Sequence, residues 1–266
     1  MEHDGGTAVM FHMHTPRMMR RLLPLLLLVP LAGPAVAAAA EEPPLRPKGN
    51  DEPLGDERLS NERTLTRWAH TNLLGAIRAE PRAGSRAVAR LHWNTEDGVP
   101  EVYVVLQSQL DANDRPWLQI RIPGRPNGRK GWVQEEKLSN LKTIQTHLTI
   151  DRRRLKATLR KNGSVIWTSR VGVGKAGTPT PAGRFWIRER LSNLGGSPVY
   201  GPWAFGSSAY SETLTDWPGG GVVGIHGTNQ PGLIPGRPSH GCVRVPNAKI
   251  RRLAKLMPVG TPVRIT

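Results

Sequence analysis

The spacing of apolar and polar positions divides the chain into four stretches. An apolar run, LLPLLLLVPL from Leu22 to Leu31, gives way to small residues up to Ala40 and then to Glu41 and Glu42. Residues 41–63 are Pro-rich and charged, with almost no large apolar group, which is the composition of a linker. From 64 to 140 the pattern breaks into short segments, 76–84, 85–93, 102–110, 116–122 and 131–138. Turn residues at Glu96-Asp97-Gly98 and across 123–128 separate them. Such spacing predicts a small β-barrel or sandwich, with 64–74 reading as strand or short helix.

From 141 onward the meander continues. LTID, LKATLRKNG and SVIWTSRVGVG read as strands, with Asn162-Gly163 as a hairpin signal. Further strands are expected at 185–191, 222–227 and 242–246, around a loop-rich stretch over 192–221. Ile250, Leu253, Ala254 and Met257 recur at helical spacing, and Pro258 stops that helix. TPVRIT closes the chain as a strand. The fold class is therefore mainly β: a mixed β-sandwich with one short helix over 141–266, preceded by a small barrel over 64–140.

The N-terminus bears on compartment. Arg17, Arg20 and Arg21 precede an apolar run of about 10 residues, against the roughly 20 a spanning helix needs. A basic start, short apolar middle and Ala-rich end make residues 1–40 a secretory signal, with an uncleaved membrane anchor as the alternative. Either way the bulk of the chain is expected outside the cytoplasm, in the periplasm or at the wall. The chain has 37 Lys and Arg against 21 Asp and Glu, a net charge of +16. Removing 1–40 leaves 34 against 19, still +15. That surplus suits a polyanionic partner. In an exported protein the partner is an anionic wall polymer or lipid rather than nucleic acid. The run Arg152–Arg154 is a solvated face or a contact for such a polymer.

Chemistry concentrates between Ile225 and Asn247, IHGTNQPGLIPGRPSHGCVRVPN, which holds two of the eight histidines and the only cysteine. One cysteine allows no intramolecular disulfide. A thiol of pKa ~8.5 needs a base or a positive neighbour to become the nucleophilic thiolate. A histidine serves, and the pair can hold the proton as an ion pair. His226 ends one apolar run and Cys242 begins another, so adjacent strands can bring them together. Gly241 permits the tight backbone an oxyanion site needs.

His226, followed by Ser239-His240-Gly241-Cys242-Val243-Arg244, resembles the signature of L,D-transpeptidases with a YkuD-type catalytic domain. Ile225 to Asn229 and the element GTPTPAGRF (177–185) are similar to that family too. Arg244 stands where many members carry Asn. The resemblance implies Cys242 as the nucleophile and His226 as its base, held by a nearby carbonyl such as that of Gly227. It also implies His240, Gly241 and Cys242 around the oxyanion, with Ser239 and Arg244 packing or binding substrate. The implied substrates are peptidoglycan stem peptides, cross-linked through a thioester without metal or cofactor, and a carbapenem is the implied acylating inhibitor. The segment before it, with Trp117, Gly131 and Trp132, resembles bacterial SH3-like domains, which implies wall binding or targeting.

Water as acceptor would make the same acyl-enzyme an L,D-carboxypeptidase, and a protein amine would make it a protein-to-wall anchor. A non-catalytic wall-binding protein is the reading from another class. A metal site lacks further ligands at suitable spacing, and a papain-like amidase would place cysteine before histidine. Trp203 and Trp217 are candidates to line the groove.

Overall fold

The structure is a computed structural model that describes residues 52–215 and 218–266. The expected signal segment 1–40, the first part of the expected linker, 41–51, and Trp217 lie outside the described residues.

Eight short strands between Glu57 and Ile144 form one antiparallel sheet. Its longest member, Tyr103–Leu110, pairs with Pro116–Arg121 on one side and Thr66–Ala69 on the other. Side chains on a strand point alternately to opposite faces, and here both faces are buried. Tyr103 and Val105 join a core with Ile77, Leu118, Ile120 and Val133. Val104 and Leu106 pack instead with Trp68, Val102 and Trp186. The unbroken run V-Y-V-V-L is thus a strand with an apolar layer on each side.

The expected linker is structured at its C-terminal end. Glu57–Arg58 pairs with Tyr103–Leu110, Leu59 is buried, and Ser60 Oγ donates to the Val105 carbonyl. Glu62 accepts two bonds from buried Arg121, at 2.6 and 2.7 Å. Charge made this stretch look solvated, and pairing that charge is what lets it pack. Residues 66–69 form a fully buried strand, so 64–74 is not a helix. The sheet also extends past 140, because Lys142–Ile144 pairs with Thr66–Ala69.

The second half contains a five-stranded sheet and a six-stranded sheet, with the one α-helix among the described residues, Asn247–Leu256. The helix buries Ile250, Leu253 and Ala254 in a core shared by both sheets, with Met257 beside them. The stretch 192–221, expected to be loop-rich, contains the eight-residue strand Trp203–Tyr210, which pairs with Val222–His226. Its sequence, WAFGSSAY, has no simple alternation, because most of it is buried on both sides.

The two halves meet across an apolar and polar seam. Trp186 Nε1 donates to the Val102 carbonyl at 2.7 Å. Buried Arg188 pairs with Glu101, its Nε at 2.8 Å from Oε1, and with Glu96 at 2.9 Å. The strand expected over 185–191 spans only Gly183–Trp186; beyond it Ile187 bridges to Ser207 and Arg188 N donates to Gly206 O, so the backbone changes partner to the other sheet. No helix among the described residues is long and apolar enough to cross a membrane.

Candidate active site

The candidate pair sits on two neighbouring strands, His226 as the last residue of one and Cys242 immediately before the other, which spans only Val243–Arg244 of the strand expected over 242–246. Val222–His226 and Val243–Arg244 run parallel, with Ile225 opposite Val243 and His226 opposite Arg244. Stepping that register back by one residue sets Gly224 beside Cys242, and Gly224 shares a strand face with His226. The Gly224 N–H donates to Cys242 Sγ at 3.4 Å. A methyl group on Gly224 would lie 3.7 Å from His226 Cδ2 and 3.8 Å from Cys242 Sγ. The imidazole and the thiol therefore flank one bare backbone position. Both line a single cavity with Tyr200, Ser239, His240 and Arg244.

His226 is buried, and its Nδ1 lies 2.6 Å from the Gly227 carbonyl oxygen. A carbonyl only accepts, so Nδ1 carries the proton and Nε2 keeps its lone pair. Tyr200 sets its ring edge-on to the imidazole, with centroids 5.1 Å apart. The Gly227 backbone is fixed in turn. Its N–H donates to Trp203 O at 3.1 Å, and Asn247 Oδ1 accepts from Thr228 N at 2.9 Å. A side chain at residue 227 would collide with Asn247 Oδ1 at 2.4 Å, so glycine is required there by close approach.

The loop before Cys242 is braced from within. Ser239 Oγ donates to Cys242 O at 2.5 Å and accepts from Gly241 N at 3.1 Å. Gly241 sits at φ +126°, a conformation an L side chain strains to adopt. The element 177–185 supplies the outer brace. Thr180 Oγ1 donates to Gly241 O at 2.7 Å and accepts from Gly174 N at 2.9 Å. Arg152, first of the arginine run, donates to Thr180 O at 2.7 Å, so this one is a structural tie rather than part of a solvated face.

Electrostatics favour neutral partners at rest. Burial pushes the imidazole of His226 down to about 4, Arg244 adds to the effect, and the Gly227 carbonyl opposes it. Burial pushes the Cys242 thiol up, while Gly224 N–H and Arg244 pull the other way. A resting thiolate–imidazolium pair, the arrangement the sequence allows, is disfavoured because both charges would be desolvated.

The other expected residues fall around this pair. His240 stands exposed at the rim with Nε2 3.2 Å from Lys175 Nζ, and Arg244 donates to Gln230 Oε1 at 2.9 Å. Trp203 packs against the core and under Arg190, 4.9 Å from guanidinium carbon to ring centroid, rather than lining the cavity. The sequence singled out the element holding Thr180 without giving that residue a role, and it did not point to Tyr200, Gly224 or Asn247. Of those three, only Gly224 carried a signal, a glycine inside an otherwise apolar strand, which marks close approach.

The L,D-transpeptidase catalytic domain, YkuD, matches residues 145–265. The chain is 36% identical over 123 residues to the YkuD protein of Bacillus subtilis (strain 168), covering 46% of this chain and 67% of that one. To the YkuD protein of Bacillus licheniformis it is 36% identical over 108 residues, covering 41% and 58%. A crystal structure of a cysteine-to-serine mutant of the Enterococcus faecium L,D-transpeptidase is 27% identical, covers 46% of this chain and 50% of its own, and superposes with a TM-score of 0.37.

Proposed function

Because this chain belongs to the YkuD family of L,D-transpeptidases, we propose that it cross-links peptidoglycan stem peptides through a Cys242 thioester. The observation that carries this reading is the Gly224 position, flanked by thiol and imidazole on one cavity wall.

The steps follow from the tautomer. As Sγ attacks the L,D amide carbon of a tetrapeptide stem, its proton passes to His226 Nε2. The imidazolium then gives that proton to the leaving amine, the C–N bond breaks, and the terminal D-amino acid departs. A stem amine attacks the thioester, His226 takes its proton, and the thiol is restored as the new amide forms. The oxyanion is assigned to the Cys242 N–H rather than that of Gly241, which Ser239 occupies. Arg244, on the cavity wall, favours the transient thiolate by its charge. His240 and Lys175 at the rim would meet substrate carboxylates.

The N-terminal pattern of basic, apolar and small residues supports an exported protein. The net charge of +15 after its removal supports contact with anionic wall polymers. The β-domain over 57–144 is assigned, on its Trp117 and Gly131-Trp132 pattern, as an SH3-like accessory.

Mass spectrometry of the purified protein with a tetrapeptide stem and an amine acceptor tests the reading. Loss of a D-amino acid and a thioester adduct are expected on the native chain and on no Cys242→Ala sample, together with a cross-linked product. Adduct formation that survives the substitution would remove Cys242 from the role. Adduct released only to water would make the enzyme an L,D-carboxypeptidase.

A further inference from the structure

The turn at 123–128 belongs to the half of the chain that contributes no side chain to the catalytic pair, yet it reaches the rim of the cavity. Arg125 Nε donates to Ser211 O at 2.8 Å, Nη1 to Gly220 O at 2.9 Å and Nη2 to Leu214 O at 2.9 Å. Its guanidinium also lies over the Tyr210 ring, 5.3 Å from the centroid. Two residues on, Asn127 grips the same strand end with both arms of its amide. Nδ2 donates to Tyr210 O at 2.8 Å, and Oδ1 accepts from Tyr210 N at 3.0 Å.

The segment so held closes on itself, with Ser211 N donating to Gly221 O at 2.8 Å. Ser211, Leu214 and Gly221 line the cavity that holds His226 and Cys242. The fit around the guanidinium is close. A side chain at residue 221 would meet Leu214 O at 2.1 Å and Arg125 Nη2 at 2.6 Å, and Gly221 has φ +79°.

We propose that Arg125 is a positioning residue through which the N-terminal β-domain fixes one wall of the substrate cavity. The physical case is one of geometry. Three carbonyls of a rim segment would otherwise be satisfied by water in many arrangements. A planar guanidinium satisfies all three in one arrangement, because its donors form a rigid fork. A lysine ammonium is a point charge and cannot reproduce that fork. The wall that meets an extended peptide is thus set by a residue far from it in sequence, while His226 lies opposite Ala204, at the far end of the strand pair from Tyr210, and Cys242 precedes a separate strand. Arg125 should therefore govern how well a peptide seats and leave the reactivity of the thiol alone.

This inference rests on the proposed peptide substrate, and its test separates the two. Full-length Arg125→Ala and Arg125→Lys proteins are alkylated at Cys242 with iodoacetamide and with a chloroacetylated stem tetrapeptide, neither of which needs turnover. Expected is an iodoacetamide rate within about twofold of the unsubstituted protein and a roughly tenfold fall with the tetrapeptide reagent. Hydrogen exchange should accelerate over 208–215 and 220–223 and stay unchanged over 146–170. Equal rates with both reagents, or parallel losses with both, would overturn the positioning role. A selective loss in a protein that forms no thioester with a true stem would uphold the wall and sink the transpeptidase reading. The lysine variant keeps charge and stem, so it retains the test if the alanine variant fails to fold.

Discussion

The backbone N–H of Gly224 points at the sulfur of Cys242 from 3.4 Å. Its Cα, lacking a side chain, leaves clear the space between the thiol and His226 that the proposed proton transfer would use. Gly224→Ala should fold, since its new methyl would stand at ordinary contact distances of 3.7 and 3.8 Å and the residue needs no left-handed backbone. It should nevertheless fill the gap between imidazole and thiol without moving either, and by obstructing their approach in the reacting geometry cut thioester formation by about tenfold or more. Stopped-flow acylation with a carbapenem measures this, and a rate within twofold of the parent would dismiss the shared-gap geometry.

If His226 is the base, as proposed, its depressed basicity should set the acid limit of acylation. A histidine near 6.5 would lose its base function below neutral pH. Here the imidazole titrates at about 4, so Nε2 stays unprotonated well below pH 6. Acylation per free enzyme should hold nearly level from pH 8 to 5 and fall only towards pH 4. Rapid pH-jump acylation reads the limb, and a midpoint between 6 and 7 would contradict the buried neutral base. The same shift bears on stability. The unfolded chain takes up a proton near 6.5 and the folded one resists it, so stability declines as pH drops from about 6.5 towards 4.

Gly241 isolates a backbone effect from a packing effect. The nearest atoms to a methyl there are 3.9 Å away, so space is not what excludes it. The φ of +126° is. Gly241→Ala should strain or reshape the loop at a cost of roughly 1–3 kcal/mol and displace Cys242. A lowered melting temperature together with slowed acylation is expected. An alanine variant equal to the parent in both would mean the loop accepts another conformation.

The Arg188–Glu101 pair joins the halves out of solvent, with side chains 2% and 0% exposed. Removing one charge strands the other, although Glu96 at 2.9 Å retains part of the compensation. Glu101→Gln should destabilise the whole described unit by on the order of 3 kcal/mol in urea unfolding, in one transition. A loss below about 1 kcal/mol, or two separate transitions, would show that the seam is not a cooperative junction.

Local chemistry was readable in the sequence. Cys242 and His226 stand within one stretch, and the helix, which spans 247–256, followed from the spacing of Ile250, Leu253, Ala254 and Met257, the last of these capping it. The β class and most turns followed from short apolar runs and Gly or Pro punctuation, because those preferences act over a few residues. The strand Trp203–Tyr210 was hidden, since burial on both faces erases alternation. So was the order in residues 57–63, where Glu62 packs only because Arg121 waits 59 positions away.

What tertiary structure alone decided were relations between distant positions. Tyr200 against His226, Thr180 beneath Gly241 and Arg125 across the rim segment have no neighbourhood in the chain to announce them. Protonation belongs to the same class: the residue types supply a thiol and an imidazole, but desolvation by surrounding side chains makes both neutral at rest. Composition fixes which groups are present, whereas burial and the orientation of backbone dipoles fix what those groups can do, and both arise only when remote segments pack together.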